Sequence, residues 1–376
     1  MNSPARAWPA PVYIVLLSHG IGGAEKRFTE NWIELRKAGY PVHLVVSRLT
    51  HDMLLEQPGM EILKQHAEHL HVFDSASHRY GATVRAVWPI VNAIPSGATV
   101  HYPLAHVPLL AWWKRQTLII SWVNVAIPSM KSWRDFKRVA VPWLSFLEAA
   151  KLDILNPNNL ERLRQRSFLQ RKLSLTRAGT FVDFERYAPS SERENSVVFL
   201  GRLEREKNAL AFTQRIPAIA RILSAQGLAL PRFYIIGHGA EEALIRQLIA
   251  SEPYAGLDIV VRYTNQPCEI LSRAKVFLSL QRTSNYPSKA LAEAMACGCV
   301  PLITDVGESR LMIGDTLGHF LDPGLLPEQM AARIAEVLRL SNGEFAQRSG
   351  TVHQHARSRF SVQEQSQYFA ELYGFL

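Results

Sequence analysis

Apolar residues in this chain gather in short continuous runs, separated by stretches in which they recur every three or four positions. The first pair sets the pattern. Residues 12–17 read VYIVLL, the loop SHGIGG follows, and residues 24–38 place Phe28, Trp32 and Leu35 on one face of a helix. A further apolar run at 42–46 comes after Gly39, completing a strand, glycine turn, helix, strand unit that starts a parallel doubly wound sheet. Runs at 70–73, 98–101 and 118–122 extend it. A charged segment rich in turn residues, 175–195, interrupts the series. The alternation then restarts with strands at 196–200, 233–236, 257–262, 276–280 and 300–304 and a helix at 209–225. Two such series predict two stacked doubly wound domains with a cleft between them.

Length and composition agree with that division. A chain of 376 residues is too long for one typical core, and 47% hydrophobic with 20% charged residues describes a globular protein rather than a disordered one. The run at 12–17 follows Arg6 but is short and leads into a glycine turn, so it reads as a buried strand rather than a signal segment. No apolar run is long enough to cross a membrane. Cys268, Cys297 and Cys299 form neither a disulfide framework nor a zinc spacing, which points to a reducing cytoplasm.

The net charge of +9 and a pI near 9.5 imply an anionic partner: nucleic acid, an acidic membrane face or a phosphorylated substrate. One stretch bears on the choice. Residues 131–148 interleave basic residues with Trp133, Phe136, Trp143 and Phe146, and Trp112, Trp113, Lys114 and Arg115 precede them. The mixture suits a membrane interface or a nucleic acid, and a buried helix with a solvated basic edge also accounts for it.

Ligands of doubly wound sheets sit at the carboxyl ends of the strands, and that is where the candidate chemistry collects. Gly20, Gly22 and Gly23 follow the first strand; Gly201, Arg202 and Lys207 follow the first strand of the second series; Gly237 and Gly239 follow the next. The stretch SNYPSKALAEAMACG, 284–298, reads as a helix capped by Ser284 or Asn285, with Pro287 in its first turn. The helix start from Pro287 to Ala290, through Ser288 and Lys289, would then offer backbone donors to a phosphate, to which the Arg202 fork and Lys207 add charge. Glu293 is an acid in an apolar run, for which a solvated surface position is the plain alternative. His101, His106, Trp122 and Asn124 lie near two strand ends of the first series, where a hydrogen-bonded structural role is the default for either histidine. No metal-ligand spacing, dinucleotide fingerprint or P-loop occurs.

Taken in order, GGAEK, GTFVDFERYAP, FLGRLEREKN, IIGHGAEE and NYPSKALAEAMACGCVPLITDVGE resemble family-4 retaining glycosyltransferases of the GT-B fold, over nearly the whole chain. The resemblance implies an α/β protein of two Rossmann-like domains facing across a cleft. An acceptor-side domain would span 1–190, a nucleotide-sugar domain 191–357, and a last helix, 358–376, would cross back to the first. It assigns Glu293 to the ribose, Arg202 and Lys207 to the pyrophosphate, and Gly22 and Gly23 to the loop approaching donor and acceptor. Tyr263 and Thr264 fall where the family contacts the base. The family's first signature glutamate is here Asn285, which keeps hydrogen-bonding capacity but not charge. Its cleft histidine is replaced by Trp122 and Asn124, with His101 and His106 as candidate substitutes.

The implied activity is metal-independent and cofactor-free transfer of a sugar from a nucleoside-diphosphate sugar to a glycan or lipid-linked acceptor, in bacterial surface polysaccharide synthesis. Arg202, Lys207 and Glu293 are the catalytic candidates. The implied setting is cytoplasmic, with attachment to an anionic membrane face as a hypothesis and no nucleic-acid partner. Two alternatives stand beside it. An epimerase of the same fold would convert the sugar nucleotide without an acceptor, and a non-catalytic basic protein would bind nucleic acid or membrane and ignore nucleotide sugars.

Overall fold

The structure, a computed structural model, describes residues 10–57, 59–103, 107, 110–123, 127, 136–177 and 179–376. His106, Asn124 and the basic positions 131–135 lie outside the described residues. The chain divides into two compact units, Met1–Gly179 with Val362–Leu376, and Thr180–Ser361. The first break thus falls at 179/180 rather than 190, because the segment after it belongs to the second core. Val182 bridges to Ser361, and Tyr187 packs among Ile270, Leu291 and Phe360.

Unit 1 runs β1 (Val12–Val15), α1 (Gly23–Lys37), β2 (Val42–Ser47), α2 (Arg48–Leu55), β3 (Leu70–Phe73), α3 (Tyr80–Ala93), β4 (Thr99–Tyr102), α4 (Leu110–Trp113), β5 (Thr117–Trp122), α5 (Phe136–Glu148), β6 (Lys151–Ile154), α6 (Pro157–Arg164) and β7 (Leu173–Leu175). The strands form one parallel sheet in the order β3-β2-β1-β4-β5-β6-β7. Each face carries its own core, Val12 and Ile14 packing with Phe28 and Trp32 on one side, Val15 with Val100 and Ile120 on the other. Burial on both faces is why these strands read as unbroken apolar runs.

Unit 2 runs β8 (Glu194–Leu200), α7 (Ala209–Ala225), β9 (Arg232–Ile236), α8 (Glu242–Ile249), β10 (Ile259–Arg262), α9 (Cys268–Leu271), β11 (Ala274–Ser279), α10 (Lys289–Ala296), β12 (Val300–Thr304), α11 (Arg310–Ile313), β13 (His319–Leu321), α12 (Pro327–Leu338) and α13 (Asn342–Phe360). Its parallel sheet has the order β10-β9-β8-β11-β12-β13, so the topology reverses between β8 and β11. A final helix, α14 (Val362–Tyr373), belongs to unit 1, where Phe369 meets Phe28 edge-on and Leu372 and Tyr373 are buried.

Polar side chains cross the core of unit 1. The Asp153 carboxylate in β6 accepts hydrogen bonds from Ser121 (2.5 Å), Thr176 (2.5 Å) and Tyr368 (2.6 Å). Ser121 also meets His101 Nε2 at 2.8 Å, while His101 Nδ1 meets the Tyr373 hydroxyl at 2.7 Å. His101 has no exposed surface, and burial, with the nearby Arg27 charge, pushes its pKa down to about 3. Its two ring nitrogens are taken up in tying α14 to the sheet. The histidine read as an acceptor-side candidate therefore holds a core position, as its default reading allowed. Trp122 is likewise buried, packed edge-on against Phe146.

Candidate functional site

In a sheet of this order, the loops leaving the strands on either side of the reversal splay apart and leave a crevice at their carboxyl ends. In unit 2 those are the loops after β8 and β11. After β8 come Gly201, Arg202 and Leu203, a short 3-10 turn at Arg205–Lys207, and then α7. Arg202 is exposed, whereas Lys207 is partly buried and its ammonium donates to Gln281 Oε1 at 2.9 Å. Burial, then the charge of Arg202, pushes the Lys207 pKa down to about 8. The two cations repel each other. An anion between them would relieve both penalties.

The β11 loop is stitched to the β8 loop at several points. The Arg282 N–H donates to the Glu206 carbonyl (3.0 Å) and Arg282 Nε donates to Asn208 Oδ1 (2.9 Å); from the end of β12 the Thr304 hydroxyl braces the same loop, donating to the Gln281 carbonyl (2.8 Å). Further along, the Ser284 hydroxyl donates to the Glu308 carboxylate. The chain reaches α10 with Ser288 as its cap, the Ser288 hydroxyl accepting from the Leu291 N–H at 3.4 Å. This corrects the expected helix start. Neither Ser284 nor Asn285 caps α10, and Pro287 precedes the cap instead of occupying the first turn, because Ser288 is still extended (φ −87°, ψ 113°). Asn285 is exposed in the loop, and Lys289 lies 4.9 Å over the Phe181 ring.

The third loop, after β9, is locked backbone to backbone. Leu203 N–H donates to the His238 carbonyl (2.9 Å), and Glu241 N–H returns to the Leu203 carbonyl (2.9 Å). Gly237 (φ 151°) and Gly239 (φ 156°) adopt backbone angles that side chains resist, and a Cβ at either would strike the carbonyl oxygen of Gly201 or Leu203. These glycines are set by close approach within unit 2. His238 then stands edge-on to Tyr263, ring centroids 4.8 Å apart, beside Thr264 at the end of β10. His238 carried no sequence signal beyond its place between two glycines.

Glu293 lies on the second turn of α10, 9% exposed, and is not a solvated surface acid. Its carboxylate accepts a hydrogen bond from the Tyr187 hydroxyl and feels the Arg186 charge. Burial, then the Glu293 charge, raises the Tyr187 pKa, so the phenol keeps its proton. Arg186 reaches on to the Asn265 carbonyl at 2.9 Å. Glu293 thus belongs to a Tyr187–Arg186–Asn265 group running toward Tyr263 and Thr264, while Lys207 belongs to the β8 and β11 loops. Tyr187 was visible in the sequence only as part of GTFVDFERYAP.

In unit 1 the Gly22 N–H is taken by Glu25 Oε2 at 2.9 Å. A Cβ on Gly20 or Gly23 would meet nothing within 4 Å, so packing within the unit does not demand glycine at either position. The loop is braced from α2, where the Thr50 hydroxyl donates to the Ser18 carbonyl (2.8 Å) and accepts from the Gly20 N–H (3.2 Å). Among the described residues, no three His, Cys, Asp or Glu side chains group as a metal site, and no helix is long and apolar enough to cross a membrane.

A family model described as glycosyl transferases group 1 matches residues 194–340, which span the β8, β9, β10 and β11 loops and α10. No protein with a curated description matches the chain in sequence. Among solved structures, the chain is similar to a glycosyltransferase from Rickettsia africae (13% identity, 97% of this chain and 98% of that one, TM-score 0.71). It is also similar to the Anabaena protein HepE in complex with UDP and glucose (14% identity, 98% and 100%, TM-score 0.72). A third is the sucrose-phosphate synthase of Thermosynechococcus elongatus (15% identity, 97% and 98%, TM-score 0.72). Identities this low speak for the fold, and the fold is GT-B, as the motif order implied.

Proposed function

We propose that the chain is a nucleotide-sugar glycosyltransferase that moves a sugar from a nucleoside-diphosphate sugar to a glycan or lipid-linked acceptor, with retention at the anomeric carbon. The observation that carries this reading is the pairing of Arg202 and Lys207 at the topological reversal of unit 2. The β8 and β11 loops are hydrogen-bonded together there, within the stretch matched to glycosyl transferases group 1. HepE, of the same fold, is described in complex with UDP-glucose, which puts UDP-sugars first among donors to try.

Cleaving the bond between a sugar and a nucleoside diphosphate builds positive charge at the anomeric carbon and negative charge on the departing phosphate. Fixed cations aimed at that phosphate lower the barrier, and Arg202 and Lys207 supply them in this reading without a metal. The acceptor attacks from the face the phosphate leaves, and the phosphate takes the acceptor's proton, so no side-chain nucleophile is needed. Glu293, steadied by Tyr187, receives the ribose hydroxyls; Tyr263 and Thr264 flank the base; Asn285 and the residues from Pro287 to Ala290 lie toward the sugar phosphate. The setting we propose is bacterial surface polysaccharide synthesis on the cytoplasmic side of a membrane.

The test is a panel of nucleotide sugars scored by thermal stabilisation and then by calorimetry. A transferase binds one donor and releases nucleoside diphosphate quickly only when an acceptor is added. Epimerised sugar nucleotide formed without acceptor, or no response to any nucleotide sugar beside salt-sensitive oligonucleotide binding, would overturn the reading. Undiminished turnover in a chelator is expected for the metal-independent chemistry.

A further inference from the structure

Unit 1 exposes large apolar side chains at several places, and four of them adjoin. Trp112 and Trp113, on the short helix α4, are 74% and 79% exposed, the most exposed large hydrophobic residues among those described. Leu144 and Leu147, on the last turns of α5, are 44% and 53% exposed. The two sites adjoin, because the Trp112 N–H donates to the Glu148 carboxylate at 3.3 Å. Cations surround them. Lys114 donates to the Asn92 carbonyl at the end of α3, Arg115 follows it, and Lys172 donates to the Leu147 carbonyl at 2.7 Å.

The excess positive charge of the chain lies in the same unit. Unit 1 holds 22 Lys and Arg against 14 Asp and Glu, whereas unit 2 holds 20 against 19. Nearly all of the +9 excess therefore belongs to unit 1. Within residues 79–177, which supply α3 to β7, the count is 15 basic to 4 acidic, and one of the four is the buried Asp153. A nucleic acid would be served by the charge, but a partner that wants two tryptophans and two leucines beside the cations is an anionic surface with an apolar interior. Tryptophan favours the interfacial layer of a bilayer, where its ring is apolar and its N–H stays wet, and Lys and Arg meet the headgroups.

We propose that this face of unit 1 docks on an anionic lipid bilayer, with Trp112, Trp113, Leu144 and Leu147 entering the interface and Lys114, Arg115 and Lys172 on the phosphates. It deepens the function proposed above by naming the surface that brings the protein to a lipid-linked acceptor. It rests on that reading for the acceptor, not for lipid binding itself. The helices concerned all lead into the amino ends of β4, β5, β6 and β7, the rim opposite the Gly20–Gly23 loop, so docking leaves the strand carboxyl ends uncovered.

The experiment is co-sedimentation of the full chain with vesicles of phosphatidylcholine alone and of phosphatidylcholine with phosphatidylglycerol, at low and high salt. Binding should require phosphatidylglycerol and weaken with salt. The double variant Trp112→Ser, Trp113→Ser should bind at least about tenfold more weakly. Arg115→Gln with Arg171→Gln, the latter an exposed cation next to Lys172, should cost about a further twenty-five-fold, about fivefold per cation. All these positions are exposed, and unchanged thermal melting would certify the fold. Equal sedimentation of wild type and tryptophan variant, or indifference to phosphatidylglycerol, overturns the proposal. So does self-association in sedimentation equilibrium that the tryptophan substitutions abolish, which would give the patch to a second copy. Nucleotide-sugar binding without lipid is measured in parallel: its loss in wild type would sink the transferase reading alone, and intact donor binding without lipid binding would sink this one alone.

Discussion

The two units share a strand order, two strands running outward one way from the first and the rest the other way, yet they place their polar residues differently. Unit 1 turns its strand chemistry inward: His101, Ser121, Asp153, Thr176, Tyr368 and Tyr373 satisfy one another in a core network that fastens α14 to the sheet. Unit 2 carries Arg202, Lys207, Gln281, His238 and Tyr263 outward, on the loops at the carboxyl ends of its strands. The lesson is that topology offers the same crevice twice and does not say which one is furnished with phosphate-binding groups. That is decided by the side chains after each strand.

The difference can be broken most forcefully in unit 1. Asp153→Ala leaves three buried hydroxyls without their acceptor and should cost about 3–5 kcal/mol. Hydrogen exchange should show unit 1 loosening while unit 2 stays protected. Loss of protection throughout unit 2 would mean that the units are not separate folding cores. The corresponding cut in unit 2 is functional rather than structural. Arg202→Ala removes an exposed cation, so melting should hold while donor affinity falls about a hundredfold. Unchanged donor binding by calorimetry would remove Arg202 from the site.

This contrast also explains what could be read without coordinates. The alternation of apolar runs and amphipathic stretches carried both sheets, because strands buried on both faces leave an unbroken apolar signature. It missed β6, whose KLDI places Asp153 amid apolar residues, and β7 and β13, which are three residues each and too short for any period. In the candidate site, Arg202, Lys207 and Glu293 were legible as charges where a strand or an apolar helix makes charge unusual. Tyr187 and Gln281 were not, because their roles depend on contacts between segments about 100 and 70 residues apart in sequence. The start of α10 lies a few residues beyond the expected one because four candidate capping and turn residues, Ser284, Asn285, Pro287 and Ser288, fall within five positions, and only the extended backbone of Ser288 selects among them.

A smaller effect follows from Lys207. Its pKa, about 8, lies below the ordinary lysine value of 10.5. A diphosphate beside it would raise that value again, so binding takes up a proton between the two. Affinity for the donor should therefore be flat below roughly pH 8 and fall about tenfold by roughly pH 9. Lys207→Arg, which keeps its charge throughout, should flatten the profile. A flat profile in the wild type would place Lys207 away from the phosphates.

The finest cut separates Tyr187 from Glu293. If the phenol positions the carboxylate for the ribose, Tyr187→Phe removes one hydrogen bond and should raise the donor KM about fivefold with little change in kcat, since about 1 kcal/mol of ground-state binding is at stake. A merely structural tyrosine would lower the melting temperature and leave KM alone. The double variant decides between them. With Glu293→Ala already in place, Tyr187→Phe should add nothing to the loss of donor affinity, because the hydroxyl acts only through that carboxylate. Additive losses would show that Tyr187 touches the nucleotide by another route, and undiminished donor affinity in Glu293→Ala alone would return Glu293 to the role of a buried acid held by its neighbours.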